Sequence, residues 1–193
     1  MLRWIAFAWK FFCYALGALV VAVASLQGWY FAHVLWWRAY EPSQTAFMHA
    51  SLERLRAGNP EASLRHQWTP YQRISPQLKR AVVAAEDAKF IDHEGFDWQA
   101  MQKALERNER KGRVVAGAST ITQQLAKNLF LSGERSWLRK GEEAAITWML
   151  ERAMPKRRIL DLYLNFAEWG DGVFGAEAAA RYHFDRGAGA LSA

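Results

Sequence analysis

The chain has 193 residues, one cysteine, ten tryptophans and a formal charge of +6, enough length for one domain with a core of its own. The lone Cys13 excludes an internal disulfide and a cysteine-based metal cluster. The basic balance favours anionic lipid surfaces and diphosphates, whereas the basic runs Glu109–Arg113 and Lys156–Arg158 lack interleaved aromatics and a nucleic-acid module, so no nucleic-acid partner is expected.

From Phe11 to Ala32 the chain carries no charge over 22 positions, which at about 1.5 Å per residue crosses a hydrocarbon core of ~30 Å. Arg3 and Lys10 precede this run, and Trp29, Tyr30, Trp36 and Trp37 crowd its far end, where amphipathic rings favour the interface. The flanks predict a cytoplasmic tail over 1–10 and a transmembrane anchor over 11–37, with the rest outside the cytoplasm. Ala22-Val23-Ala24 has the form of a signal-peptidase site, but the apolar stretch continues past it, which favours an anchor over a cleaved leader. Beyond the anchor lie 23 basic and 19 acidic side chains, a net of +4.

Residues 38–73 read as a juxtamembrane connector, a helix broken at Gly58-Asn59-Pro60. Ser75-Pro76 is an N-cap followed by proline at the first helical position, and Leu78, Val82 and Ala85 mark a buried stripe running to about Phe90. Glu86 falls at the edge of that stripe. Loss of hydration there is expected to raise its pKa toward values useful to a general base, against the plainer reading of a structural Glu bonded to the backbone. Asp97 reads as the N-cap of a helix carrying Trp98, Met101 and Leu105, and 108–117 as a basic, glycine-containing loop.

In Gly117–Asn128, Ser119 or Thr120 serves as N-cap. Ile121, Leu125 and Leu129 then recur every four residues and leave Gln123, Gln124, Lys127 and Asn128 on other faces. A long helix follows over 137–150, with Leu138, Ala145, Trp148 and Met149 available for burial. Within it Arg139, Lys140 and Glu143 share a face, which taken alone is an exposed ion pair of little energetic worth. Pro155 opens a helix with Ile159, Leu162, Tyr163 and Phe166 on its apolar side, and Gly170, Gly172 and Gly175 break the pattern before Ala176–Phe184. No strand pattern of useful length is present, so the fold class is mainly α.

Glu86-Asp87-x-x-Phe90-x-x-His93-x-Gly95, Gly117-x-Ser119-Thr120-Ile121-Thr122-Gln123-Gln124-Leu125-x-Lys127-Asn128, Arg139-Lys140-x-x-Glu143 and Lys156-x-x-Ile159-Leu160-Asp161-x-Tyr163-Leu164-Asn165 stand in that order. Together they resemble the successive motifs of the peptidoglycan glycosyltransferases, glycosyltransferase family 51, and specifically the monofunctional biosynthetic transglycosylases. The resemblance covers residues 74 to 184. It implies a lysozyme-like helical domain over 74–193 behind the single membrane helix, with a hydrophobic jaw that dips into the bilayer.

The resemblance further implies that lipid II is donor and acceptor, the growing glycan strand the product, and undecaprenyl diphosphate the leaving group, with inversion. Glu86 is then the general base, and Glu143 the second catalytic carboxylate, orienting cations or donor. Lys127, Arg139 and Lys140 hold the diphosphate. Asp87, Phe90, His93, Ser119, Thr120, Gln123, Gln124 and Asn128 complete the substrate groove. It also implies membrane lipids and cell-wall synthesis or division proteins as partners. No cofactor is required by this reading, although a Mg²⁺ or Mn²⁺ ion bridging the diphosphate to a carboxylate is compatible with it. Asp92, His93, Glu94 and Asp97 lack the spacing of a zinc helix, so no protein-held metal is expected.

One base beside three cations also separates two opposite chemistries. A glycosidase protonates a poor leaving group with a second carboxylate, whereas a transferase that expels a diphosphate must stabilise departing negative charge. The residue set favours polymerisation over a lytic muramidase; an inactive membrane scaffold that binds lipid II or division proteins is the other alternative. Three departures from the family pattern stand out. Asp161 replaces Glu, which is expected to weaken a structural contact; Asp171 stands where the bifunctional relatives carry Arg; and the sequence given stops at Ala193, where the family pattern continues, so a truncated C-terminus is expected.

Overall fold

The computed structural model describes residues 2–115, 117–133 and 136–192. The side chain of Arg3, part of the expected basic flank, Ala116 within the expected loop, and the terminal Ala193 lie outside the described residues. Eight α-helices carry the described chain: α1 (Leu2–Trp37), α2 (Ala46–Gly58), α3 (Pro76–Glu86), α4 (Trp98–Lys111), α5 (Ile121–Phe130), α6 (Trp137–Ala153), α7 (Lys156–Phe166) and α8 (Ala176–Phe184). The fold is mainly α, as expected.

Short strands add what periodicity could not show. β1 (Arg65–His66), β2 (Glu168–Gly170) and β3 (Val173–Phe174) form a sheet of order β1-β3-β2, parallel between β1 and β3 and antiparallel between β2 and β3. Two or three residues are too few for an alternating pattern to register.

Most helix starts follow their caps. Ser75, Asp97 and Thr120 each accept the backbone N–H three residues on, and Pro76 takes the first position of α3. Thr120 and Gln123 form a reciprocal capping box at α5. α4 runs to Lys111 and ends on Gly112 at φ 61°, so the expected loop over 108–117 loses its first turn to helix. Helix α3 stops at Glu86, short of Phe90, and Val82 is its one buried residue; Ala85 is exposed.

The core gathers on α5, α6 and α7. Ile121, Leu125, Ile146, Leu150, Ile159, Leu162 and Phe166 are fully buried. Leu138 and Trp148, expected inside, are exposed; the buried face of α6 uses Glu143, Ile146, Thr147, Met149 and Leu150. α5 therefore sits between two helices, which leaves only a narrow strip of its surface open.

Residues 38–73 are not a free connector. α2 packs on α5, Ser51 donates to Glu168 at 2.8 Å, and Asn165 is joined to Thr69 in both directions, Thr69 N–H to Oδ1 at 2.8 Å and Nδ2–H to the Thr69 carbonyl at 3.1 Å. The domain thus begins well before residue 74. At the other end, Ser75 N–H donates to the Ala188 carbonyl and Glu177 accepts the Ala188 N–H, which ties residues 185–192 to the body. Asp161, despite its shorter side chain, accepts from Arg158 at 2.7 Å.

The stretch Trp9–Trp37 is long and apolar enough to cross a membrane, with a mean hydropathy of 1.8 and none of its most apolar window buried. The end of α1 nevertheless belongs to the domain. Tyr30 and Val34 are buried, and Trp29, Tyr30 and Trp37 surround Phe130 at the end of α5, with ring centroids 6.1, 5.2 and 4.9 Å away. Phe130→Ala should therefore destabilise the chain by about 3–5 kcal/mol, the cost of truncating a buried phenylalanine. Denaturant unfolding in detergent checks this, and a loss below about 1 kcal/mol would mean the anchor does not brace the domain.

Candidate active site

Asp87, immediately after α3, is buried and faces two directions. Its carboxylate accepts from His93 Nε2 at 2.9 Å and from the Ile121 backbone N–H at 3.0 Å, at the first turn of α5. A carboxylate there satisfies an orphan helix donor and complements the positive end of the helix dipole. His93 also accepts the Gly95 N–H at its other ring nitrogen, 3.1 Å away, and the Thr120 hydroxyl donates to the Gly95 carbonyl at 2.7 Å. Gly95 has φ 88° and a Cβ there would stand 2.8 Å from Thr147, so the turn admits only glycine.

These contacts sort the expected groove. Asp87, Phe90, Thr120 and Gln123 are buried and His93 is largely covered; Asp87 and Thr120 still border the cavity beside Glu86, and Gln123 borders the adjoining one, while Phe90 and His93 line neither. Phe90 lies beneath Lys156, whose ammonium is 4.6 Å from the ring centroid. Ser119 is exposed, Gln124 half-buried, and both line a cavity of about 520 Å³ together with Glu86, Lys89 and Lys103. Ser119 also lines an adjoining cavity of about 520 Å³ between α4 and Lys140.

Glu86 ends α3 on the rim of the first cavity and is exposed, so the dehydration expected from the apolar stripe does not occur in this structure. Its neighbour is polar. Gln124 Nε2 donates to Glu86 Oε2 at 2.9 Å, while the Tyr163 hydroxyl donates to Gln124 Oε1 at 3.0 Å. The phenol fixes which way the amide faces. Burial first, then the charge of Glu86, pushes Tyr163 above the ordinary tyrosine range, which keeps it a donor. In the sequence Tyr163 stands on the apolar side of α7 and within the fourth motif, but neither signals this task.

One turn further along α5 and across to α6, charge converges. Glu143 is buried and pairs with Arg139 at 2.8 Å and with Lys140. Lys127 sits beside them, its ammonium 4.8 Å from the centroid of Phe47 on α2. Its pKa falls below the usual 10.5, chiefly by burial; Glu143 opposes this fall and Arg139 adds to it. Three cations around one carboxylate leave a net +2. Within this group Arg139 Nε, and on α5 Asn128 Oδ1, are buried with no hydrogen-bond partner among the described residues. Such atoms are uncommon in settled interiors, and ordered water or a polar ligand satisfies them.

A family model described as Transglycosylase matches residues 53–193. The chain is 61% identical over 173 residues to a biosynthetic peptidoglycan transglycosylase of Methylobacillus flagellatus, covering 90% of this chain and 76% of the relative. A protein of the same name from Thiobacillus denitrificans is 58% identical over 184 residues, 95% of this chain and 79% of that one, and one from Laribacter hongkongensis is 55% identical over all 193 residues and 82% of its own length. The chain belongs to the transglycosylase family.

As a transglycosylase it builds its cleft from more of the chain than its motifs suggest. Phe47 and Ser51 come from α2, and Glu168, which accepts from Ser51 and bears on the charge of Lys127, comes from β2. Asp171, where a cation was not carried over, pairs with Arg54 of α2 at 2.9 Å. Among the described residues, no group of three or more His, Cys, Asp or Glu is placed to hold a metal ion. Asp87 is taken by His93 and a backbone N–H, and Glu143 by two cations.

Proposed function

We propose that this transglycosylase polymerises lipid II into glycan strands, and that its single apolar helix anchors it in the bacterial inner membrane with residues 38–193 on the periplasmic side. The observation that carries the reaction is the pairing of one exposed carboxylate, Glu86, with a three-cation cluster on the neighbouring stretch of α5 and α6. The 4-hydroxyl of the acceptor sugar attacks the anomeric carbon of the donor. Glu86 takes the hydroxyl proton, and the bond from that carbon to the diphosphate oxygen breaks with its electron pair on the leaving group, inverting the centre. Charge developing on the diphosphate meets Lys127, Arg139 and Lys140, which are already oriented by Glu143. Arg139 Nε–H gains an acceptor in the diphosphate oxygens, and Asn128 Oδ1, itself an acceptor, gains a donor in a sugar hydroxyl. A Mg²⁺ or Mn²⁺ ion would depend on Glu86 and the substrate's own oxygens, because the other motif carboxylates are taken.

Incubation with labelled lipid II followed by gel separation tests the reading, with ladders of long glycan as the expected product. Glu86→Gln should reduce polymerisation by about 10²–10⁴-fold while lipid II binding persists. Near-normal ladders from that variant would remove Glu86 from the role of base, and soluble fragments released from finished murein would turn the reading to a lytic enzyme.

Lys127 sets the alkaline limit. Its lowered folded pKa means that holding it charged costs the fold stability at neutral pH, a cost relieved as pH rises through the folded pKa toward 10.5. Its charge, and with it the hold on diphosphate, is lost over the same interval. The rate should therefore fall at a pH below that of an ordinary lysine, and Lys127→Arg should move the falling limb upward. An unmoved limb in a folded Lys127→Arg variant would assign it to another group.

The orientation follows from the basic N-terminal flank and the aromatic end of the span. A C-terminal reporter active only outside the cytoplasm should give signal, and signal from a cytoplasm-dependent reporter instead would reverse the topology.

A further inference from the structure

The end of α1 and the start of α7 enclose a separate cavity of about 270 Å³, lined by Glu41, Trp68, Tyr71, Arg157, Arg158 and Asp161 among others. Arg158 closes it. Its guanidinium donates to the Trp37 carbonyl at 3.0 Å and the Tyr40 carbonyl at 2.7 Å, the last residue of α1 and the turn beyond, and to Asp161 at 2.7 Å. The cavity is thereby fixed at the level where the apolar span Trp9–Trp37 ends.

Two arginines and two acids line it, and Lys79, which is not part of the lining but sits on the ring of Tyr71, adds a third cation nearby. Arg158 is matched by Asp161, but Arg157 makes no ion pair among the described residues; its guanidinium lies 5.1 Å from the centroid of the Tyr71 ring. Lys79 approaches the same ring at 4.1 Å and donates to the Tyr71 carbonyl at 2.9 Å, likewise with no ion pair among the described residues. Partial burial, then the like charge of Arg157, lowers the Lys79 pKa, with Asp161 opposing. Glu41, exposed at the rim, is the other acid lining the cavity. Trp68 has a buried indole N–H with no acceptor among the described residues, and Arg158 lies 5.6 Å from its ring.

We propose that this cavity binds the phosphate of an anionic phospholipid headgroup. The ligand must bring negative charge for Arg157 and Lys79, and acceptor oxygens for donors that have none. It must also be held at the bilayer surface beside the end of α1. A phospholipid phosphate without a compensating headgroup cation meets all three needs, whereas a choline group would compete with Arg157. The proposal rests on the membrane-anchored reading above and is independent of the chemistry at Glu86.

The full chain in a neutral maltoside detergent is titrated with dihexanoyl phosphatidylglycerol, dihexanoyl phosphatidylcholine or inorganic phosphate while thermal unfolding is followed. A ligand that binds the folded state raises the melting temperature by mass action. Phosphatidylglycerol should give a saturable rise, with much smaller rises from the other two at equal concentration. Arg157→Gln should weaken phosphatidylglycerol affinity about fivefold, the worth of one basic residue near an anionic surface. Arg157→Lys should keep most of the affinity, and Arg110→Gln, which removes an exposed cation on α4, should keep all of it. Arg157 is exposed, so the lipid-free melting temperature of its variants should match the parent. An equal response from Arg157→Gln and parent, or from phosphatidylcholine and phosphatidylglycerol, overturns the site, and an equal response to inorganic phosphate overturns the lipid as its source. If lipid preference is absent while the chain stays in membranes through an alkaline wash, the site alone fails; release by the wash overturns the anchor together with the site.

Discussion

The buried Asp87 carboxylate is the point from which the cleft is measured. It holds the first N–H of α5 and the His93 ring together, and so joins the end of α3 to the start of the helix that carries the polar block. Glu86 is the residue before it. Its position relative to Gln124 depends on this join rather than on its own contacts, since Glu86 is exposed and bonded to a side chain that Tyr163 orients. Removal of the Asp87 carboxylate would leave a buried backbone donor unpaired, a loss of about 1–3 kcal/mol, and would free Glu86 from its register with α5.

The second dependence is electrostatic. Three cations at close quarters repel one another, and the buried Glu143, with Glu168 also favouring the charge of Lys127, makes their convergence tolerable. That carboxylate is expensive to bury unless paired, and the cations supply the pairing. The cluster retains excess positive charge, held in place before any substrate arrives, so little reorganisation is needed as a diphosphate departs. Arg139 and Glu143, four residues apart, look from sequence alone like a surface ion pair; burial turns the same spacing into a fixed electrostatic device.

Legibility in the sequence followed the range of the interactions. Caps at Ser75, Asp97 and Thr120, the four-residue recurrence of Ile121, Leu125 and Leu129, and the bounds of α8 are local, and they were readable. The motifs named residues that do converge, but not how they divide the labour. Asp87, Thr120 and Gln123 are buried yet border the cavities beside Glu86 and α4, whereas Phe90 and His93 lie outside that lining, because composition does not reveal which side of a turn faces the core. The strands and the incorporation of α2 escaped notice for a related reason: β1 meets β3 and Thr69 meets Asn165 across about a hundred residues, with no local periodicity to announce either pairing. Trp148 and Leu138 erred in the opposite sense, apolar side chains that lie outside the core.

Helix α5 also links the membrane anchor to the chemistry. Its ten residues span about 15 Å, with Gln124 beside Glu86 near one end and Phe130 beneath the rings of Trp29, Tyr30 and Trp37 at the other. Lys127 stands between them, three residues from each. A substrate whose diphosphate is tethered to a membrane-embedded chain can only reach a base held a short, fixed distance from the bilayer. The aromatic contact at Phe130 fixes one end of that distance and the Asp87 bond to Ile121 fixes the other. In the proposed reaction the order along the helix, anchor contact, Lys127, contact with Glu86, matches the order in which a lipid-linked sugar presents its own parts: chain, diphosphate, reacting carbon.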